Sequence, residues 1–403
     1  MGVQTGHESL ASLNVAGGLR VLYVIDSLVP GGAETSLAAM APHLRNLGVG
    51  LHVVYFHDRA GLQEDLSRAG AVLHRVDGGR INRVKGLLHL IETVDPDLVH
   101  TTLFEADQAG RLAGRIAHRP VVTSYVSTGF ELGPWHSTAG VRARSAALLD
   151  GATAHLVSAF HAVSDPVADA MAERARVPRD RFTVIPRGRD ALSLGRWSTG
   201  RRTATRARLA IDEETPIILA VGRQVGPKDL TTLIRALPQV HDEWPKLQVL
   251  LAGAPGPQSS AIEQAIAESQ LDSVVRTLGH RTDVADLMVA ADVLALPSLR
   301  EGFPGTLVEA LALECPIVAT DIPSVRSVVD GPSGLVARLV PVSDSAALGH
   351  AIADVLRLRP RRTFGSAGRV LFESCYTIEA TSEQMYELYC QVVNIATTAR
   401  SGP

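Results

Sequence analysis

Two glutamates with seven residues between them, Glu301 and Glu309, mark the run Pro297–Ala310, PSLREGFPGTLVEA. The apolar stretch before it predicts a strand over Asp292–Leu296, and Pro304 predicts a helix start, because proline's missing N–H costs nothing in a first turn. Glu301 would then stand on the loop at the strand's carboxyl end and Glu309 more than a turn into the helix, so that both carboxylates face one crevice. A carboxylate accepts two hydrogen bonds at once, which suits the diol of a sugar or a ribose. Between them, the amides of Gly302, Phe303, Gly305 and Thr306 predict a helix N-terminus open to phosphate.

A second group lies just past another apolar run, in Val221–Lys228, VGRQVGPK. Arg223 and Lys228 are five apart across a Gly/Pro turn, so both cations can converge on one pyrophosphate, the arginine as a fork and the lysine as a point charge. They would do there what a metal ion does elsewhere. Near the start, VIDSLVPGGAE carries Gly31 and Gly32 into a helix, and paired glycines let a backbone approach a ligand closely.

Positioning these groups requires a particular kind of scaffold. From Arg20 onward short apolar runs alternate with amphipathic segments of helix length, a pattern that yields parallel sheets wrapped by helices. Strands are expected at Arg20–Ile25, Leu51–Phe56, Ala71–His74, Asp97–His100, Pro120–Tyr125, Ala159–Val163 and Thr183–Ile185. After a Pro/Gly/Ser/Arg-rich linker at Ile185–Ser198 a second series follows, at Pro216–Val221, Leu247–Ala252, Val274–Leu278, Asp292–Leu296 and Pro316–Ala319. Helices fall between, for example Lys228–Val240 and Asp344–Leu356, and a last one covers about Ser382–Ile395 with Met385, Leu388, Tyr389 and Val392 on one face. The expected architecture is α/β, two Rossmann-like doubly wound domains facing a central cleft: a loose tail over 1–18, a first domain over 19–188 and a second over 189–375.

Composition narrows the function classes. The 403 residues are 46% hydrophobic and 20% charged, an ordinary globular balance. A net charge of −3 gives no general pull on a polyanion, so nucleic acid is not an expected partner. Three widely spaced cysteines, Cys315, Cys375 and Cys390, match neither a disulfide framework nor a zinc pattern and point to a reducing cytoplasm. No apolar run approaches the roughly 20 residues of a bilayer span, and the start of the chain lacks the features of a secretory signal. The cations of Arg80–Lys85, RINRVK, ahead of GLLHLI could touch an acidic membrane surface, although a solvated helix start accounts for them as well; Arg142 and Arg144 share that ambiguity. Asp95-Pro96-Asp97 has metal-motif spacing but precedes a strand, facing away from the expected cleft, and reads as a turn. No metal site is expected.

EGFPGTLVEA resembles the E-x7-E motif of retaining GT-B glycosyltransferases, the family-4 group in particular, and GR-x4-K over Arg223–Lys228 and the GGAE loop resemble two further elements of that family. DPDLVHTTLFEADQAGRLAGR and FHAVSDPVADAMAERARVPRDRFTVIPRGRD are similar to its first domain, so that the likeness runs from Arg20 to about Val393. It implies a retaining transfer of a sugar from a nucleotide-diphosphate sugar, with no cofactor or metal, to a glycan, lipid-linked or small-molecule acceptor. Catalytic roles would fall to Glu301, Arg223 and Lys228, and donor binding to Glu309, Gly31, Gly32, Gly302, Phe303, Gly305, Thr306 and Arg281. It also implies that the last helix, 382–396, packs on the first domain, and that the protein works in the cytoplasm, with peripheral membrane contact as a further expectation. Two departures stand out: Asp229 replaces the family's usual glycine, and Val126 stands where many members carry a sugar-contacting histidine. Tyr125, Ser127 and Thr128 could supply hydroxyls in its place, while His100 and His161 read as satisfied core histidines. A non-catalytic nucleotide-sugar-binding protein and a nucleotide-sugar epimerase of the same fold are the competing readings.

Overall fold

The computed structural model describes residues 18–127, 141–358 and 362–400. The chain forms two compact units, Met1–Gly188 with Ile378–Pro403, and Arg189–Thr377.

The first unit is built on β1 (Leu19–Ser27), β2 (Val49–His57), β3 (Val72–Arg75), β4 (Leu98–Thr102), β5 (Val121–Tyr125), β6 (Ala159–Ala162) and β7 (Phe182–Val184). All pair in parallel, in the order β3-β2-β1-β4-β5-β6-β7. Helices cover both faces, so the central strands are apolar almost throughout rather than alternating; β4 and β5 are buried at every position. The last helix, Ile378–Arg400, belongs to this unit. Its Met385, Tyr386, Leu388, Tyr389 and Val392 are buried in one core with Leu37, Met40 and Leu44 of helix Gly32–Asn46. That helix starts four residues earlier than the sequence suggests, because Ile378 itself joins the core.

The second unit contains β8 (Ile217–Val221), β9 (Gln248–Ala252), β10 (Val275–Gly279), β11 (Val293–Leu296), β12 (Ile317–Thr320), the small hairpin β13 (Asp330–Gly331) and β14 (Gly334–Leu335), and β15 (Arg338–Val340). Its six-stranded parallel sheet runs β10-β9-β8-β11-β12-β15. The hairpin and β15 escape a reading of apolar runs, being two or three residues long.

Both sheets therefore reverse strand order beside their first strand, at β1/β4 and at β8/β11, and at the amino end of each reversal stands the same device. Asp97, just before β4, accepts from the backbone N–H of Arg20 at 2.7 Å. Asp292, just before β11, accepts from that of Ile217 at 2.8 Å and binds Arg202 and Arg206 at 2.6 and 3.0 Å. Asp95 closes helix Arg80–Val94 in the left-handed conformation and pairs with Arg20 and Arg119. The Asp95-Pro96-Asp97 turn is thus a clasp at the amino edge. Ligands bind such sheets at the other edge, outside the carboxyl ends at the switch point.

Candidate nucleotide-sugar site

In the second unit the loops that follow β8 and β11 leave adjacent strands at that switch point. They are tied together through the backbone, Leu299 N–H donating to the Pro227 carbonyl at 2.9 Å. This register brings Lys228 against Glu301: Nζ donates to Oε1 at 2.5 Å, and Ser298 Oγ donates to the same oxygen at 2.7 Å. The pair is largely buried. Arg223 is exposed on the same loop, and among the described residues it has no ion-pair partner. Asp229, at the end of this loop, has φ 43° and ψ 44°. That left-handed conformation explains why glycine would serve here, and aspartate holds it through hydrogen bonds from Thr231 and Thr232 to its own carboxylate at 3.1 and 2.7 Å.

Helix Gly305–Ala312 follows, with Pro304 as its N-cap. Glu309 pairs with Arg189, whose Nε donates to Oε1 at 2.8 Å. The same guanidinium lies across Gly305, where an added Cβ would fall 1.9 Å from Arg189 Nη2. A side chain at position 305 would displace this guanidinium. Arg189 is held in turn by its backbone, its N–H donating to the Tyr376 carbonyl at 2.9 Å. Sequence reasoning missed this residue; an arginine in a Pro/Gly linker, PRGRD, carries no periodicity that could have marked it. The expected row of free amides also needs correction. Gly305 N–H already donates to the Phe303 carbonyl at 2.9 Å, and the Phe303 side chain is buried against Tyr376, ring centres 6.2 Å apart. Gly302 and Thr306 remain half-buried at the helix start. Arg281 follows β10, two strands from the switch point, and forms a two-pronged pair with Asp283 at 2.8 and 2.7 Å.

In the first unit Gly31 caps helix Gly32–Asn46 with an extended backbone. A Cβ on Gly32 would lie 2.3 Å from Arg187 Nη1, and one on Gly31 2.5 Å from Glu34 Oε2. The paired glycines thus admit the protein's own Arg187 and Glu34. Beside them is a cavity of about 30 Å³ lined by Tyr23, Thr102, Ser124, Val126, His161 and Arg187 among others, room for about one or two waters. Beneath it runs a chain of hydrogen bonds whose direction is determined from one end. His161 Nε2 must donate to the Ile185 carbonyl, at 2.9 Å. Ser124 Oγ therefore donates to His161 Nδ1 at 2.7 Å, His100 Nε2 donates to Ser124 Oγ at 2.6 Å, and Tyr389 OH donates to His100 Nδ1 at 2.6 Å. Burial disfavours the imidazolium at both rings, holding His161 down at about 4 and His100 well below the usual histidine range. Both histidines are neutral, with both nitrogens satisfied. Val126 packs on the core beside them. The Tyr125 hydroxyl is turned inward, donating to Asp150 Oδ2 at 3.0 Å beside the buried Arg111, so it cannot serve as a ligand hydroxyl. Thr128 lies outside the described residues.

The β1/β4 switch point carries a further group that sequence reasoning overlooked. Asp26, at the end of β1, accepts from the Ala106 and Glu105 N–H groups at 2.7 and 3.3 Å and so caps helix Phe104–Ile116. Desolvation pushes its carboxyl up to about 7. Leu103, which turns the chain from β4 into that helix, has φ 79° and ψ 162°, a region that side-chain-bearing residues rarely adopt and that collects at functional sites. Glu105 Oε2 accepts from His57 Nε2 and Arg83 Nη1, both at 2.7 Å; Arg83 of the RINRVK run is thereby engaged, and it also lies over the Phe56 ring at 4.5 Å. Among the described residues no group of three or more metal-ligating side chains is assembled, and no helix is long and apolar enough to cross a membrane.

Two parallel Rossmann-like sheets with donor-type motifs at the carboxyl edge of the second are the GT-B fold, and solved structures agree: HepE from Anabaena, in complex with UDP, superposes with a TM-score of 0.80 at 22% identity, covering 93% of this chain and all of that one. A family model for glycosyltransferase family 4 matches residues 30–191, and one for glycosyl transferases group 1 matches residues 215–357. Between them they span three quarters of the chain, which belongs to these glycosyltransferases. Among curated relatives, D-inositol 3-phosphate glycosyltransferase of Nocardia farcinica is 30% identical over 310 residues, 71% of this chain and 65% of its own length. That of Geodermatophilus obscurus is 33% identical over 220 residues, 52% of this chain and 47% of its own. The aligned part thus spans about half to just under two thirds of those relatives.

Proposed function

We propose that this protein is a retaining, metal-independent glycosyltransferase that moves a sugar from a nucleoside-diphosphate sugar onto an acceptor hydroxyl. One observation carries the reading: the loops after β8 and β11 bring Lys228, Arg223 and Glu301 to one switch point, with Glu309 on the helix that follows and Arg189 of the linker paired to it. Arg223 and Lys228 would meet the pyrophosphate and stabilise the charge that develops on it as the bond to the anomeric carbon breaks. Lys228 would then release Glu301, whose carboxylate turns to the hydroxyls of the donor sugar. Glu309, oriented by Arg189, would hold the ribose diol. In a same-face transfer the acceptor oxygen bonds to the anomeric carbon as the phosphate oxygen leaves, and the acceptor's proton passes to that phosphate. The HepE structure with UDP supports a nucleotide donor, and the acceptor is a glycan, a lipid-linked sugar or a small molecule.

Thermal shift against a panel of nucleotides and nucleotide sugars tests the donor site, since a ligand that binds only the folded state raises its melting temperature. With the donor so identified, transfer should survive exhaustive EDTA, and proton NMR of the product should show the donor's anomeric configuration. Inversion, or activity lost to EDTA and restored only by Mg²⁺ or Mn²⁺, would overturn the reading.

A further inference from the structure

We propose that the acceptor is an uncharged polyol, a sugar ring or cyclitol bearing no phosphate, whose neighbouring hydroxyls are read by Glu105 and His57 at the carboxyl edge of the first unit's sheet. The inference rests on the glycosyl-transfer reading and names what that transfer modifies. The place follows from topology: β1, β2 and β4 end together, with Ser27 beside His57 and Ile25 beside Thr102 in register, so Asp26, His57 and Glu105 emerge side by side at the switch point. The strained Leu103 backbone sits in the middle of them.

The chemistry follows from how the trio is partnered. Both hydrogen bonds to Glu105 fall on Oε2, which leaves Oε1 of a side chain 42% exposed without a protein donor among the described residues. A free carboxylate oxygen beside a half-exposed imidazole suits hydroxyl groups, which donate to one and exchange a hydrogen bond with the other. The same pairing argues against phosphate. Arg83 is the cation bonded to the trio, its charge already matched by Glu105 at 2.7 Å, while Asp26 adds a second carboxyl. Among the described residues, a phosphate brought here would meet two carboxyls whose bonded cation, Arg83, is already matched. Arg80, exposed at the first residue of helix Arg80–Val94, and Arg59, exposed two residues past His57, are the cations that would have to act if an anion were read instead.

The test uses the full chain and matched pairs: myo-inositol against its monophosphate, and glucose against glucose 6-phosphate. Binding is followed by calorimetry with and without the nucleoside diphosphate that most raises the melting temperature. At least one unphosphorylated member should bind, its phosphate ester should bind about tenfold or more weakly, and Glu105→Gln should weaken the polyol by about tenfold, the loss of one charge-assisted bond. Should that variant misfold, His57→Asn, at the other partner of the pair, should weaken the same ligand. Tighter binding of the phosphate ester, lost in Arg80→Ala, overturns the proposal; so does binding of neither member, or polyol affinity unchanged in both variants. Polyol binding that depends on Glu105, without sugar transfer from any donor, would leave the polyol site standing and remove the glycosyl-transfer reading.

Discussion

Lys228 and Glu301 neutralise one another, and this pairing decides how each should behave when replaced. A lysine that leaves its carboxylate for a pyrophosphate binds the donor in ground and transition states alike, so Lys228→Ala should weaken nucleoside-diphosphate binding by about 10- to 100-fold. Glu301→Gln keeps the shape and removes the charge; turnover should fall about tenfold or more while nucleotide affinity changes little. Calorimetry with steady-state kinetics separates the two, and unchanged values in both variants would remove these residues from the site. Gly305→Ala tests Arg189 without touching it. A methyl group there would displace the guanidinium from Glu309, so donor affinity should drop while the melting temperature holds, since the pair is partly exposed and contributes little to stability. The positions of Arg223, Lys228 and Glu301 on loops after strand ends, and of Glu309 in the helix that follows, were legible from type and spacing. Arg189, Arg187 and Asp26 were not, because each acts through a partner more than 70 positions away or from a linker without periodicity.

Among the elements, helix Phe104–Ile116 depends on Asp26 for its cap, and the cap titrates. Its carboxyl ordinarily ionises near 4, and in the folded protein only at about 7. The folded state therefore holds a proton that the unfolded chain has released across that window, and stability contributed by the neutral form is lost as pH rises through it. Asp26→Asn, which cannot ionise, should match wild type below about pH 4 and exceed it increasingly up to pH 7, by at most about 4 kcal/mol; melting curves at pH 4 and pH 8 decide it. His161 acts with the opposite sign, its neutral form being favoured, so it contributes stability that is lost as pH falls through about 4; comparing variant with wild type at each pH cancels that common term. Tyr389→Phe should cost about 1–3 kcal/mol, since His100 Nδ1 would remain buried with no donor. The long strands were readable because buried parallel strands are near-continuous apolar runs. The direction of the Tyr389–His100–Ser124–His161 chain was not, because four separate elements bring those four side chains together.

For the molecule as a whole, the chain passes between its units twice, at Gly188–Arg189 and at Thr377–Ile378. Arg189 and Thr377 pair in a parallel bridge, so the second unit begins and ends at one spot. Excised as Arg189–Thr377 it should fold alone and bind a nucleoside diphosphate without transferring sugar. A folded fragment with no nucleotide affinity would mean that the Gly31–Gly32 loop contributes more to the donor than the second unit does.

That arrangement also sets an order of events at the ribosome. The first unit draws Met385, Tyr389 and Val392 of its core from the far end of the chain. At roughly 5–20 residues per second the intervening unit takes roughly 10–40 s to synthesise. Throughout that interval helix Gly32–Asn46 waits with one apolar flank uncovered, while the second unit is free to finish first. A nascent chain stalled at Thr377 should accordingly recruit chaperones through its older half, and one stalled after Arg400 and clear of the tunnel should not.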